Sequence, residues 1–125
     1  MPRIIVAGSR GFHDYKKLAT TLVAYFMRKG YYPKDIEIVS GTADGADKLG
    51  EVFAEKGGCK LTRMPADWKT HGRKAGFLRN WEMAKYAKED EGVLFAFWDR
   101  QSDGTAHMIK LARREGLEVN IIDYN

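Results

Sequence analysis

The chain has 125 residues, which suffices for one compact domain with its own core and is too short for two ordinary domains. Hydrophobic residues make up 44% of the chain and charged residues 30%, a composition that excludes an intrinsically disordered protein. The formal net charge of +4 is too small to indicate nucleic-acid binding by itself.

Short apolar runs alternate with segments of helical spacing along the whole chain. In the run of residues 3–7, the neighbouring positions 4–7 are all apolar, as expected for a strand that is covered on both faces in a parallel sheet. Later runs of the same kind are residues 36–39, 61–64, 93–98 and 119–122. The segments between them carry apolar residues at helical spacing, namely Leu18, Leu22, Tyr25 and Phe26, then Ala46, Leu49 and Phe53, then Phe77, Leu78, Trp81 and Ala84, and finally Thr105, Met108, Ile109 and Ala112.

This order predicts an α/β fold, because parallel neighbouring strands need long crossover connections and helices supply them. We expect a Rossmann-like three-layer sandwich with a mostly parallel sheet of about five strands. Residues 65–74 form the longest segment without a periodic pattern, so we expect an irregular loop there.

Cys59 is the only cysteine, which excludes an internal disulfide framework and a zinc site built on paired cysteines. A reducing compartment fits this usage, so we expect a cytoplasmic protein. The apolar run at residues 93–98 is far too short for a membrane span, and the N-terminus lacks the pattern of an export signal. We therefore expect a single domain over residues 1–125 without a membrane anchor.

Three predicted strands are followed by glycine-rich turns, which we call the first loop (residues 8–12), the second loop (residues 40–47) and the third loop (residues 99–105). Glycine lets backbone N–H groups approach a ligand closely, and a helix N-terminus offers unpaired donors. Ligands of open α/β sheets bind beyond the carboxyl ends of the strands, so the loops predict a phosphate-binding rim. The residues expected to line it are Gly8, Ser9, Arg10, Gly41, Thr42, Ala43, Gly45, Ser102, Gly104 and Thr105.

Each loop also has an alternative interpretation as a tight turn and a helix cap, with the capping residues Thr42, Asp44, Ser102 and Asp103. Arg10 either binds a phosphate or forms a surface salt bridge. Asp47 either accepts hydrogen bonds from ribose hydroxyls or compensates the helix dipole. The patterns G-x-G-x-x-G and G-x-x-x-x-G-K-[ST] are absent from the chain, which argues against an NAD dehydrogenase and a P-loop NTPase.

Positive charge is concentrated between residues 60 and 88, where eight basic residues stand against two acidic ones. We expect an electropositive rim there that includes Arg73, Lys74, Arg79 and Asn80. Trp68 lies in the same segment and either stacks on a base or anchors the loop to the domain. The three histidines share no metal-ligand spacing, so neither a metal site nor a catalytic triad is expected.

Five motifs in this order resemble the small YspA-like branch of the SLOG superfamily. They are Gly8-Ser9-Arg10, residues 41–47, residues 65–68, residues 75–80 with Met83, and Ser102-Asp103-Gly104-Thr105. SLOG proteins are Rossmann-like and include the LOG phosphoribohydrolases and the DNA-processing protein DprA. The resemblance implies a pocket for a nucleotide or nucleotide-derived molecule, such as an ADP-ribose or NAD derivative or a cyclic nucleotide, and no further cofactor. It also implies a homo-oligomer, for which an apolar patch is available if Tyr25, Phe26, Tyr31 and Tyr32 are not in the core.

The chain departs from the LOG enzymes at one position that matters for catalysis. Their P-G-G-x-G-T-x-x-E segment carries a glutamate that takes part in N-glycosidic cleavage, whereas the matching stretch here keeps Thr105 and has Met108 in place of the glutamate. The resemblance therefore favours binding, sensing or sequestration of a ligand over its hydrolysis.

Two other functions remain as alternatives. One is a nucleoside 5′-monophosphate phosphoribohydrolase in which Asp47, Asp67 or His107 replaces the missing glutamate. The other is single-stranded nucleic-acid binding, which is disfavoured because one basic rim is modest beside the continuous groove that such binding needs.

Overall fold

The computed structural model describes residues 1–124 and contains one five-stranded sheet. All neighbouring strands are parallel and their order is β3-β2-β1-β4-β5. The strands are β1 (Arg3–Gly8), β2 (Glu37–Ser40), β3 (Lys60–Arg63), β4 (Val93–Trp98) and β5 (Glu118–Asp123). The predicted Rossmann-like α/β fold is confirmed, and each strand end lies within one residue of its expected place.

Helices connect the strands and cover both faces of the sheet. They are α1 (Tyr15–Lys29), α2 (Ala46–Gly57), α3 (Trp68–His71), α4 (Ala75–Lys88) and α5 (Asp103–Arg114), with short 3-10 helices at Pro33–Asp35 and Gly72–Lys74. The chain runs outward from β1 to β3 and then returns to β4, which lies on the other side of β1. The direction of winding therefore changes between β1 and β4, which is where ligands bind in open sheets.

The core consists of two clusters separated by the sheet. Ile4 and Val6 of β1 pack in one cluster with residues of α1 and α2, whereas Ile5 packs in the other with residues of α4 and α5. Full burial of each such side chain contributes about 1.5–3 kcal/mol. Neighbouring positions of β1 are thus both buried, which explains why its sequence is continuously apolar.

The prediction of an irregular loop over residues 65–74 is wrong. Helix α3 and the 3-10 helix Gly72–Lys74 occupy most of this segment. The Asp67 side chain begins α3 by accepting a hydrogen bond from the Thr70 amide at 3.1 Å. Gly72 ends α3 with a φ of 56°, and the chain then turns into α4.

The predicted inner face of α4 is also partly wrong. Ala84 is buried, but Phe77, Leu78 and Trp81 are exposed to solvent. The buried residues of α4 are Ala75, Asn80, Met83, Ala84 and Ala87. Small side chains on this face let α4 lie close to its neighbours, and the larger apolar groups then point outward.

Two of the four aromatic residues considered for an apolar patch lie in the core, as was expected for part of this segment. Tyr25 and Phe26 are buried, whereas Tyr32 is exposed. Tyr25, Phe26, Tyr31 and Tyr32 therefore do not form a common surface. Within residues 1–124, no helix has the length and apolar character that a membrane crossing requires.

Candidate functional site

The three loops meet at the carboxyl edge of the sheet, beside the point where the winding reverses. A Cβ atom added to Gly8 would lie 2.2 Å from the Phe97 carbonyl oxygen, and one added to Gly45 would lie 2.4 Å from the Ser9 carbonyl oxygen. The Ser9 hydroxyl accepts a hydrogen bond from the Asp99 amide at 3.0 Å. The first loop is therefore packed between the second and the third.

A cavity of about 240 Å³ opens at this edge. Nine of the residues that the sequence predicted for the site line it, namely Gly8, Arg10, Ala43, Asp47, Arg79, Asn80, Ser102, Gly104 and Thr105. The other five predicted residues, Ser9, Gly41, Thr42, Gly45 and Lys74, lie outside this lining.

Residues outside the lining shape the loops. Ser9 is buried and joins the first loop to β4, since its amide donates to the Phe97 carbonyl at 2.9 Å. Gly41 leaves room for Arg79, because a Cβ atom there would lie 2.6 Å from Nη1 of that arginine. Gly45 precedes α2 with a φ of 82°. Lys74 is exposed in the 3-10 helix before α4.

The capping interpretation holds for one helix and fails for the other. Ser102 caps α5 by accepting a hydrogen bond from the Thr105 amide at 3.3 Å, and Asp103 lies in the first helical turn instead of at the cap. Helix α2 has Gly45 at its N-cap position and no side-chain cap. Thr42 and Asp44 are therefore not caps, because Gly45 occupies the N-cap position and no side chain accepts a hydrogen bond there.

Side chains of the protein already occupy many loop amides. The Thr42 amide donates to the Ser40 hydroxyl at 3.0 Å, and the Gln101 and Ser102 amides donate to the Asp99 carboxylate at 2.8 and 2.9 Å. Fewer amides of the three loops are therefore open to a ligand than the sequence predicted. In the first turn of α5, the amides of Asp103 and Gly104 donate no hydrogen bond within residues 1–124 and remain available.

Helix α4 ties the second loop to the third through Arg79 and Asn80. The Arg79 guanidinium donates to the Gly41 carbonyl and, through Nε, to the Asn80 side-chain oxygen at 3.0 Å. The Asn80 amide nitrogen donates to the Gly104 carbonyl at 3.2 Å and lies 3.3 Å from Nδ1 of His107. Asn80 is therefore bonded within the protein at both ends of its side chain. Burial lowers the pKa of Arg79, which remains a cation at neutral pH.

Asp47 is a buried carboxyl group at the cavity wall, with only 5% of its surface exposed. One oxygen accepts a hydrogen bond from the Ala43 amide at 3.2 Å. Burial raises the pKa of Asp47 to about 6, against the opposing effects of that hydrogen bond and of the Arg79 charge. A good part of the Asp47 population is thus uncharged near pH 6, which reduces its repulsion of a bound anion.

The other two groups considered as replacements for a catalytic glutamate lie outside the cavity lining. Asp67 caps α3, and the hydrogen bond from Thr70 lowers the pKa of its carboxyl group. His107 packs against Phe77, with ring centroids 4.5 Å apart. Asp47 is therefore the member of this set that faces the cavity.

Comparison with known proteins assigns the chain to a family. Residues 2–71, more than half of the chain, match the model of the YspA, cpYpsA-related SLOG family. The chain belongs to this family. It is also 33% identical over 124 residues to the Gene 61 protein of Mycobacterium phage D29, covering 95% of this chain and 94% of the phage protein. No solved structure matches the chain significantly.

The lining of this SLOG protein also includes residues beyond those nine, among them Trp68 and Arg73, which the sequence had placed in the basic segment. Trp68, Arg73 and Phe77 line the cavity from α3, the 3-10 helix and α4, and the remaining ones are Ala7, Gly76, Met83 and Met108. The cluster of positive charge at residues 60–88 was the available signal for Arg73. Phe77 gave no such signal, because its helical spacing assigned it to the core.

Proposed function

We propose that this SLOG protein binds a nucleotide or a nucleotide-derived small molecule in the cavity beside the ends of β1 and β4. The observation that carries the proposal is that one cavity is lined by Arg10, Arg79 and Gly104, whose amide in the first turn of α5 is free. Guanidinium groups and helix N-termini are the usual partners of phosphate in proteins. Membership in the SLOG family supports a nucleotide-related role.

Binding without turnover is the form of this function that the lining favours. Met108, at the position where LOG enzymes have their glutamate, lines the cavity and is almost fully buried. A thioether neither donates nor accepts a proton in catalysis, so the group that would assist N-glycosidic cleavage is missing there. A protein of this kind acts by sensing or sequestering its ligand.

Calorimetric titration and thermal shift with AMP, ADP-ribose, NAD and cyclic AMP test the proposal. We expect at least one of them to bind and to raise the melting temperature. Arg10 is exposed at the cavity, so Arg10→Ala should weaken that binding about ten-fold or more without loss of stability. Arg113→Ala, which removes an exposed arginine at the far end of α5, is the matched control. Equal affinities of the two variants, or no ligand at all, would refute the proposal.

A phosphoribohydrolase is the second candidate, and the buried carboxyl group of Asp47 favours it. A pKa of about 6 is close to the value that suits a general acid or base at neutral pH. Chromatography of the same nucleotide incubations separates the candidates. Formation of ribose 5-phosphate and a free base by the wild type, and its disappearance in Asp47→Asn, would indicate a phosphoribohydrolase. Recovery of the unchanged nucleotide would indicate a binding protein.

Three further expectations stay predictions. A homo-oligomer predicts a particle mass above that of one chain, which light scattering measures. Cytoplasmic location is expected because Cys59 has no partner for an internal disulfide. Nucleic-acid binding, which we do not expect, would show as oligonucleotide affinity that falls steeply with salt.

A further inference from the structure

Two aromatic side chains at the cavity, Trp68 and Phe77, have no part in holding an anion. Both line the cavity, yet 53% of the Trp68 surface and 50% of the Phe77 surface remain exposed. Such large apolar groups gain free energy when something covers them. The anchor interpretation of Trp68 does not account for a ring that is half in solvent.

Contacts within the protein hold both rings in place. A Cβ atom added to Gly76 would lie 3.3 Å from the Trp68 ring, so the indole rests against the backbone of the first turn of α4. Phe77 meets the His107 ring edge-on, at an angle of 62° between the ring planes. Rings supported in this way lose little conformational entropy when a ligand packs on them.

The cavity therefore has two chemically different parts. Arg10, Arg79 and the Gly104 amide supply positive charge and hydrogen-bond donors, whereas Trp68 and Phe77 supply aromatic surface. At about 240 Å³, the cavity is smaller than the roughly 300–1,000 Å³ typical of pockets for drug-sized ligands. One planar ring and one anionic group fit this space better than a dinucleotide does.

We propose that Trp68 and Phe77 form a stacking subsite for the base of a mononucleotide whose phosphate lies at the arginines, a proposal that rests on the proposed function. The base stacks on the aromatic surface, which recognises a planar ring without reading its edges. The subsite therefore selects nucleotides over sugar phosphates and discriminates little among the bases.

The test compares the four nucleoside 5′-monophosphates with ribose 5-phosphate, which has the phosphate but no base. Trp68→Ala should weaken nucleotide binding roughly ten-fold and change ribose 5-phosphate binding less than about two-fold. Phe77→Ala should act in the same direction, and Trp68→Phe should restore most of the affinity. Trp81→Ala is the matched control, because Trp81 is 49% exposed on α4 but lies outside the cavity lining.

Fluorescence gives a second measurement on the same variants. Nucleotide binding should quench tryptophan emission in the wild type and in Trp81→Phe, and this quenching should disappear in Trp68→Phe. Circular dichroism establishes that each variant is folded.

The outcomes separate the two proposals. Wild-type protein that binds none of the nucleoside 5′-monophosphates would overturn the stacking subsite, and the proposed function itself would fail only if ADP-ribose, NAD and cyclic AMP also did not bind. Equal binding of both ligand types, unchanged in folded Trp68→Ala, would leave phosphate binding intact and overturn the stacking subsite. If Trp68→Ala weakened the binding of nucleotides and of ribose 5-phosphate equally, the stacking subsite would also be overturned, because Trp68 would then support the fold. A change in oligomer mass with unchanged affinity would overturn it too, because Trp68 would then belong to an interface.

Discussion

Replacing Asp47 by asparagine tests whether the wall of the cavity contains an unfavourable buried charge. The side chain is almost fully buried, and burial raises its pKa from the ordinary 3.8 to about 6. A carboxyl group whose pKa rises on folding holds its proton more tightly in the folded than in the unfolded chain. Its contribution to stability is complete below pH 3.8 and is lost as the pH rises through about 6.

The magnitude follows from the two pKa values. Their difference corresponds to a free energy of unfolding that falls by about 3 kcal/mol in total, from a pH well below 3.8 to neutral pH. Asparagine does not ionise, so Asp47→Asn should not show this loss. Glu37, whose pKa is lowered and whose effect has the opposite sign, is present in both proteins and cancels in the comparison. The Glu51 charge raises the pKa of Asp47, so its repulsion is part of the effect that Asp47→Asn removes.

Urea unfolding followed by circular dichroism at pH 4, 5, 6 and 7 measures the effect. The stability of Asp47→Asn relative to the wild type should increase by about 2.5 kcal/mol over this range, or roughly 10 °C in melting temperature. Asp44→Asn, which changes an exposed carboxyl group of the same loop, should show no such trend. A constant difference between Asp47→Asn and the wild type would refute the reasoning, because Arg79 would then compensate the buried carboxylate fully.

Three more changes test the packing of the loops and the core. Gly45→Ala should lower the free energy of unfolding by about 3 kcal/mol, because the φ of 82° and the nearby Ser9 carbonyl oxygen both disfavour a Cβ atom. Gly57→Ala, with open space around the added atom, should raise the free energy of unfolding by up to about 1 kcal/mol. Equal effects in urea unfolding would contradict this packing. Burial raises the pKa of Cys59 from the ordinary 9.0 to about 11. A disulfide reagent at pH 8 should therefore react about 100-fold more slowly with the native protein than with the unfolded one. Equal rates would show that the thiol is accessible in the native protein. Gly104→Ala should leave urea stability unchanged or slightly higher but weaken nucleotide binding about ten-fold in calorimetry; unchanged affinity would mean that no ligand approaches this residue.

Most of the fold could be predicted because central parallel strands leave a local signature. Ile4 and Ile5 enter cores on opposite faces of the sheet, so β1 must be apolar at consecutive positions. Helical spacing between such runs then determines the βαβ order, and handedness rules leave few ways to connect it. The convergence of three loops follows from the same argument, since the carboxyl ends of parallel strands share one edge.

The orientation of α4 could not be predicted, because this helix is apolar on more than one side. Phe77, Trp81 and Met83 all have helical spacing with other apolar residues, and periodicity alone does not say which of them face the sheet. The choice depends on packing against α5 and β1, which are distant in sequence. As a result Phe77 was assigned to the core, although it lines the cavity.

Local sequence patterns also could not predict which loop amides are hydrogen-bonded within the protein. An aspartate or serine just before a turn can accept hydrogen bonds from the next amides of its own chain, or it can leave them to a ligand. The structure shows the first behaviour for Ser40 and Asp99, whereas Asp47 accepts a hydrogen bond from the Ala43 amide, which precedes it in the chain. Which acceptor an amide meets depends on φ and ψ angles that residue type does not specify.

The glycines around the cavity are of two kinds, those that the packing of the protein requires and one that it does not. At Gly8 and Gly41 the protein itself excludes a side chain, because an added Cβ atom would lie within 2.6 Å of neighbouring atoms. At Gly104 such an atom would meet nothing within 4 Å among residues 1–124. Alanine would stabilise this turn of α5 by at most about 1 kcal/mol and would not destabilise it, so packing gives no reason for glycine here. The free space lies beside an available amide at a helix N-terminus, so it is a ligand that would need Gly104 to lack a side chain.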